Sequence, residues 1–186
     1  VTRLWSNQNR TIDNFKYPGV KSIESDIELQ PGNSKTIARI SSGGRITGIE
    51  LNPSKIFSGL YKQADIKITW DNETVSAVYI PVADFFGFAF GQRAMESLLM
   101  GATDGKLYCY IPMPFDKSAN IELVYRKADG VPQEPLRLKT LVYYTGQKRM
   151  ANEGRFYATW NNDEPANGQS YVFLEGQGRG HYIGTL

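Results

Sequence analysis

Short runs of alternating apolar and polar residues, each closed by Gly, Pro, Asn or Asp, recur along most of this chain. A two-residue period puts one face of a strand in a core and the other in water. Ala64 to Trp70 sets Ile66, Ile68 and Trp70 on one face, and Asp71-Asn72-Glu73 then turns the chain into Thr74 to Ile80. Ala119 to Tyr125 repeats the pattern with Ile121, Leu123 and Tyr125, and Leu136 to Tyr144 with Leu136, Leu138, Thr140 and Val142. Lys35 to Ile40, Arg45 to Leu51, Lys106 to Met113, Gly154 to Trp160, Gln169 to Glu175 and Gly180 to Leu186 read the same way. About ten strands spaced by turn signals imply an all-β, antiparallel sandwich or barrel. Helix signals are confined to Ser54 to Lys62 and Arg93 to Met100, at a turn or two each. The first thirty residues lack clear alternation, so the spacing predicts an N-terminal arm over 1–34 and a sandwich over 35–186.

A chain of 186 residues fits one domain and buries roughly two thirds of its unfolded surface, so it needs no metal or disulfide staple. The net charge is +2, with acids and bases interspersed. That pattern argues against a nucleic-acid surface. No apolar stretch approaches the ~20 residues of a membrane helix. Val1 replaces an initiator Met, and Leu186 closes the chain inside an apolar run, so we expect a piece of a longer protein. Asn9-Arg10-Thr11 and Asn72-Glu73-Thr74 match the glycosylation sequon at about the chance level and carry no weight.

Chemistry is thinly signalled. The lone Cys109 sits in an alternating segment and reads as a core residue; with the lone His181 it offers neither a zinc site nor a disulfide. Gly176 to Gly180 is glycine-rich but lies between two expected strands, which reads as a hairpin loop. Nothing calls for a cofactor or a metal. Loop carboxylates include Asp84, Asp104, Asp129, Glu153, Asp163, Glu164 and Glu175, and no spacing pairs them as glycoside hydrolysis requires. Sugars stack on aromatic rings, for which Trp5, Trp70, Trp160, Phe85, Phe86 and His181 are candidates. Trp70 and Trp160 fall on expected strands and read as core. Phe85 and Phe86 are adjacent, so in an extended chain only one of them faces inward.

Three segments carry a family resemblance. They are Ile80-Pro81-Val82-Ala83-Asp84-Phe85-Phe86-Gly87 with Phe90-Gly91, Leu107 through Phe115 into Ile121-Glu122-Leu123, and Gly178-Arg179-Gly180-His181-Tyr182-Ile183-Gly184. Ile68-Thr69-Trp70-Asp71 fits as well. In this order they resemble glycoside hydrolase family 172, formerly domain of unknown function 2961. The resemblance implies a jelly-roll β-sandwich over 35–186, the first half of a double jelly roll, ending in a crossover toward a second one. It implies retaining cleavage of fructofuranosyl or arabinofuranosyl linkages, a secreted or periplasmic location, and homo-oligomers built on trimers. The family's two catalytic glutamates lie in the second jelly roll, so no catalytic residue is expected here. Asp84, Phe86, Arg179 and His181 are the expected substrate contacts. Two departures stand out. Asn9-Arg10-Thr11 replaces the family's Asp-Arg-Thr, removing a charge, and Phe88-Ala89-Phe90 stands where many members have a His. The rival functions are a non-catalytic glycan-binding or oligomer-forming module, and a capsid-type coat protein. 

Overall fold

The computed structural model describes residues 17–59, 62–89 and 91–185. Twelve strands follow one another: β1 (Lys21–Leu29), β2 (Ser34–Ile40), β3 (Gly44–Asn52), β4 (Ala64–Trp70), β5 (Val78–Pro81), β6 (Phe88–Ala89), β7 (Gln92–Arg93), β8 (Met100–Ala102), β9 (Leu107–Cys109), β10 (Met113–Phe115), β11 (Ala119–Tyr125) and β12 (Leu136–Thr145). A single helical turn, α1 (Val82–Phe85), follows β5 directly.

Two antiparallel sheets face each other. One runs β1-β12-β3-β9-β8, with β10 also on β3; the other runs β2-β11-β4-β5. Each sheet therefore interleaves early strands with late ones. Strands 1, 12, 3 and 9 opposite 2, 11, 4 and 5 form the paired Greek keys of a jelly roll.

Alternation built the core as expected. Ile66, Ile68 and Trp70 of β4, Ile121 and Leu123 of β11, and Leu138 and Val142 of β12 are buried between the sheets. The two places where the period breaks are bulges. On β2 both Ile37 and Ala38 are buried, and the pairing with β11 skips Ile37. On β3 the pairing with β12 skips Thr47, which carries Ile46 and Ile49 to the same side despite their three-residue spacing. An extra residue that leaves the ladder resets which side chains face inward.

Several expectations change. β1 lies inside the stretch assigned to the arm. Its Glu24, Asp26 and Glu28 face out while Ile27 and Leu29 are buried, and Ser25 masks the alternation between Ile23 and Ile27. The helix expected from Ser54 shrinks to a 3-10 turn at Ser54–Phe57. Arg93 to Met100 is not helical but a loop between β7 and β8. Among the described residues the runs from Gly154, Gln169 and Gly180 form no strands. Among the described residues beyond β12 the ladder contact is one parallel bridge, Ala158 to Val78. Alternation alone does not make a strand when no sheet edge accepts it. Leu186, Phe90, Trp5 and Asn9-Arg10-Thr11 lie outside the described residues.

Candidate functional site

The segment Ile80 to Gly87 turns from strand to helix without a loop. Pro81 at the N-cap holds φ −55° and ψ 134°, a fixed extended entry that Pro supplies before a helical turn. One turn later Gly87 takes φ +83°, and a Cβ there would sit 2.6 Å from the Met95 side chain. Because the chain is helical here, Phe85 and Phe86 do not point opposite ways. Both are buried, edge to face at 4.8 Å. Phe86 is fully buried, so its ring supports the turn and presents no face for a sugar to stack on.

Asp84 is the polar residue of this turn. Lys62 Nζ donates to its Oδ1 at 2.5 Å. Its Oδ2 is buried and has no hydrogen-bond partner among the described residues. A buried carboxylate oxygen without a donor costs about 1–3 kcal/mol or more, so this one is primed to accept a hydroxyl or amide. Beside it lies a small pocket of about 70 Å³, lined by Lys62, Gln63, Ala83, Tyr125 and Leu136 among others. That volume is far below the ~300 Å³ of ligand-sized pockets. Its polar groups are mutually engaged. Gln133 Nε2 donates to Gln63 Oε1 at 2.6 Å, and Tyr125 donates to the Glu134 carbonyl at 3.1 Å. Nearby, Arg126 contacts Asp65 at 2.8 Å. Burial pushes the Asp65 carboxyl above its ordinary value, and Arg126 only partly opposes that.

Arg179 and His181 are exposed, on the strandless segment beyond Ala158. Among the described residues no hydrogen bond or ion pair joins either of them to Asp84. Trp160, expected in the core, is 47% exposed because its run has no partner strand, whereas Trp70 is fully buried and stacks on Phe115 at 5.8 Å. Cys109 is fully buried, and burial pushes its thiol up to about 12, which leaves it protonated and unreactive.

Two polar clusters escaped the sequence reading. In the first, Glu50 Oε1 accepts from Lys106 Nζ at 2.8 Å and from Tyr110, while Lys106 also donates to the Tyr110 hydroxyl at 3.0 Å. Burial raises the Tyr110 phenol, and its bond to Glu50 raises it further. The second joins three turns. Asp71 Oδ1 accepts the backbone N–H groups of Asp116, Lys117 and Ser118 at 2.9, 2.6 and 3.1 Å. Arg155 lies 2.7 Å from both Asp71 and Asp116, and Arg149 Nε contacts both Asp116 oxygens at 3.0 and 3.2 Å. Burial works to raise the Asp71 carboxyl, but the three N–H groups and Arg155 outweigh it and hold it below its ordinary value. Asp71 was legible only as a turn residue. Its partners lie far along the chain, and no local spacing announces them. Among the described residues no three His, Cys, Asp or Glu side chains converge to hold a metal.

A family model described as GH172 domain-like matches residues 19–138, more than half of the chain. No match is found among the curated proteins. Solved structures give distant likenesses. The acid-stable capsid of Helicobacter pylori bacteriophage KHP30 aligns at 5% identity and a TM-score of 0.41, over 71% of this chain and 92% of that one. The infectious bursal disease virus VP2 subviral particle aligns at 15% identity and a TM-score of 0.36, over 67% of this chain and 32% of that one.

Proposed function

The chain belongs to the GH172 domain-like family, and we infer that it is the scaffold jelly roll of a glycoside hydrolase-like protein acting on furanosides. In this reading it supplies substrate contacts while the catalytic carboxylates come from a second jelly roll. The observation that carries it is Asp84, fixed by Lys62 on the turn of the family segment, with one oxygen buried and lacking a donor among the described residues. A sugar hydroxyl would complete it, and a charged acceptor makes a hydrogen bond roughly twice as strong as a neutral one. The other well-held acids serve structure: Glu50 is engaged by Lys106, Asp65 by Arg126, Asp71 and Asp116 by Arg155, and Glu153 by Arg45. A general acid for glycoside cleavage needs a raised pKa and a facing carboxylate. Arg179 and His181 would join the site only when their segment docks on the second jelly roll.

Amide chemical shifts on titration with fructofuranosyl and arabinofuranosyl oligosaccharides test this reading. We expect shifts confined to 82–87, lost in Asp84→Ala with its Tm unchanged, and no turnover of an aryl furanoside by the chain alone. No shift with either sugar, or turnover that depends on an acid of this chain, refutes it.

A second reading, an oligomer-forming module, rests on a different feature. Val172, Phe173, Leu174, Tyr182 and Ile183 are all large, apolar and exposed. Contiguous apolar surface of this kind is normally covered by another protein surface, which these residues would form if their two stretches come together. Sedimentation at rising concentration distinguishes a trimer from a monomer.

A further inference from the structure

A single helical turn is too short to hold itself, because helix formation starts from a costly nucleus that only a longer run offsets. What packs on α1 (Val82–Phe85) therefore fixes it. Its closing hydrogen bonds run from the Phe86 amide to the Val82 carbonyl at 3.2 Å and from the Gly87 amide to the Asp84 carbonyl at 3.3 Å. The Phe85 ring meets Phe86, its own neighbour, at 4.8 Å, and Phe156 edge on at 6.3 Å. Phe156 arrives from beyond β12, and the residues around it are tied down. Its carbonyl accepts the Trp70 indole N–H at 2.7 Å. On one side Arg155 contacts Asp71 and Asp116 at 2.7 Å each. On the other the Ala158 amide donates to the Ala77 carbonyl at 3.0 Å. Backbone and charge thus anchor the segment, while the half-buried Phe156 side chain packs against the core and on Phe85.

We propose that Phe156 is a positioning residue for Asp84. Its ring buttresses Phe85, the residue next to Asp84, and so holds α1 in the geometry that presents Asp84 Oδ2 to a ligand hydroxyl. Lys62 does not do this alone. It grips Oδ1 through a flexible four-carbon stem, which sets a distance but not a direction. That the ligand is a furanoside rests on the function proposed above, whereas the buttress rests on packing alone. The site is then shared between the Asp84-Phe85-Phe86-Gly87 turn and a segment outside the jelly roll. A chain ended at Thr145 would keep Asp84 and lose its alignment.

Phe156→Ala removes the ring and leaves the backbone carbonyl. The Trp70 indole N–H and the Ala158 amide should therefore keep their exchange rates, showing the segment still in place. The Phe86 and Gly87 amides should exchange roughly tenfold faster, the scale of one lost edge-to-face pair. Affinity for fructofuranosyl or arabinofuranosyl oligosaccharides should fall by roughly the same factor. Phe156→Leu, which keeps apolar bulk, should recover most of both. Unchanged exchange at Phe86 and Gly87 overturns the buttress. Faster exchange with native sugar affinity overturns the positioning role, since a merely structural residue lowers Tm without changing the affinity of the folded chain. If the native chain binds neither sugar, the ligand is not a furanoside, and the carboxyl carbon resonance of Asp84 decides the positioning. Broadening in Phe156→Ala that Phe156→Leu reverses supports it, and a native line overturns it. Should Phe156→Ala fail to fold, Phe156→Val, a smaller cut, decides on the same signals.

Discussion

Trp70 shows how much one side chain can couple. Its ring fills the core against Phe115, while its indole N–H reaches the Phe156 carbonyl and ties the sandwich to the segment beyond β12. These roles separate by substitution. Trp70→Phe keeps an aromatic ring but leaves the Phe156 carbonyl without its donor, and we expect a loss of about 1–3 kcal/mol, mostly that of an unmade buried bond. Trp70→Ala adds a cavity and should cost about 3–5 kcal/mol. Urea denaturation read by circular dichroism measures both, and a Trp70→Phe variant as stable as the native chain would mean that the indole bond contributes nothing. Gly87 is constrained as firmly from the other side. At φ +83° with Met95 in the way, any side chain is strained, which gives a physical reason for glycine to end the Asp84-Phe85-Phe86-Gly87 segment. The sequence made Trp70 legible as core through alternation. It could not show that Phe86 is buried, because that depends on α1 being helical, and one helical turn leaves no periodicity to read.

Among the elements, strands inside the sheets were legible, and those that rely on distant polar partners were not. β4, β11 and β12 bury every second residue, so their pattern survives in the sequence. β1 is an edge strand whose outward face is acidic and whose inward face includes Ser25, and its signal is correspondingly faint. The clasp of turns around Asp71 is invisible from any one element, yet it sets a pH response. Hydrogen bonds from Arg149 hold Asp116 below its ordinary carboxylate value, and those from Arg45 hold Glu153 below its own. Asp71 is depressed too. For a depressed acid the stabilisation is present above its unfolded pKa and is lost as pH falls through the folded one. Asp65 has the opposite sign, since its raised carboxyl is relieved of strain on protonation. With Glu28, which a hydrogen bond from Arg137 holds below its ordinary value, four depressed acids against one raised acid predict a Tm that falls from pH 6 to pH 3. In Arg149→Ala/Arg155→Ala the fall should be shallower, because Asp116 loses both arginines that depress it and Asp71 loses one of its depressing partners while keeping its three N–H donors. Scanning calorimetry across that range checks it, and parallel curves for the two proteins would remove the clasp as the cause.

At the scale of the whole molecule, the fold and the segment that follows it differ in kind. The jelly roll closes with β12 between β1 and β3, so each strand needed for both Greek keys is in place by Thr145. Beyond it, residues 149–158 contribute Arg149, Glu153, Arg155, Phe156 and Ala158 as partly buried contacts, while 159–185 bury almost nothing. Stability should therefore respond to truncation in two steps. Ending the chain after Ala158 removes, among the described residues, exposed ones and the half-buried Tyr171, and surface changes away from special features fall within about 0.5 kcal/mol. Ending it after Lys148 strips Asp71 and Asp116 of their arginines, leaves the Trp70 indole N–H without its acceptor, the Phe156 carbonyl, and removes the bridge to Val78. We expect that shorter chain to melt distinctly lower, by roughly 2–5 kcal/mol on the scale of a broken buried polar network and a lost partly buried aromatic. Comparing the Tm and the amide spectra of the two truncations with the parent separates the contributions. A large drop on removing 159–185 would mean that the exposed Val172, Phe173 and Leu174 are docked in solution, in this copy or in another. That result would move the stabilising contacts from the clasp to the apolar segment.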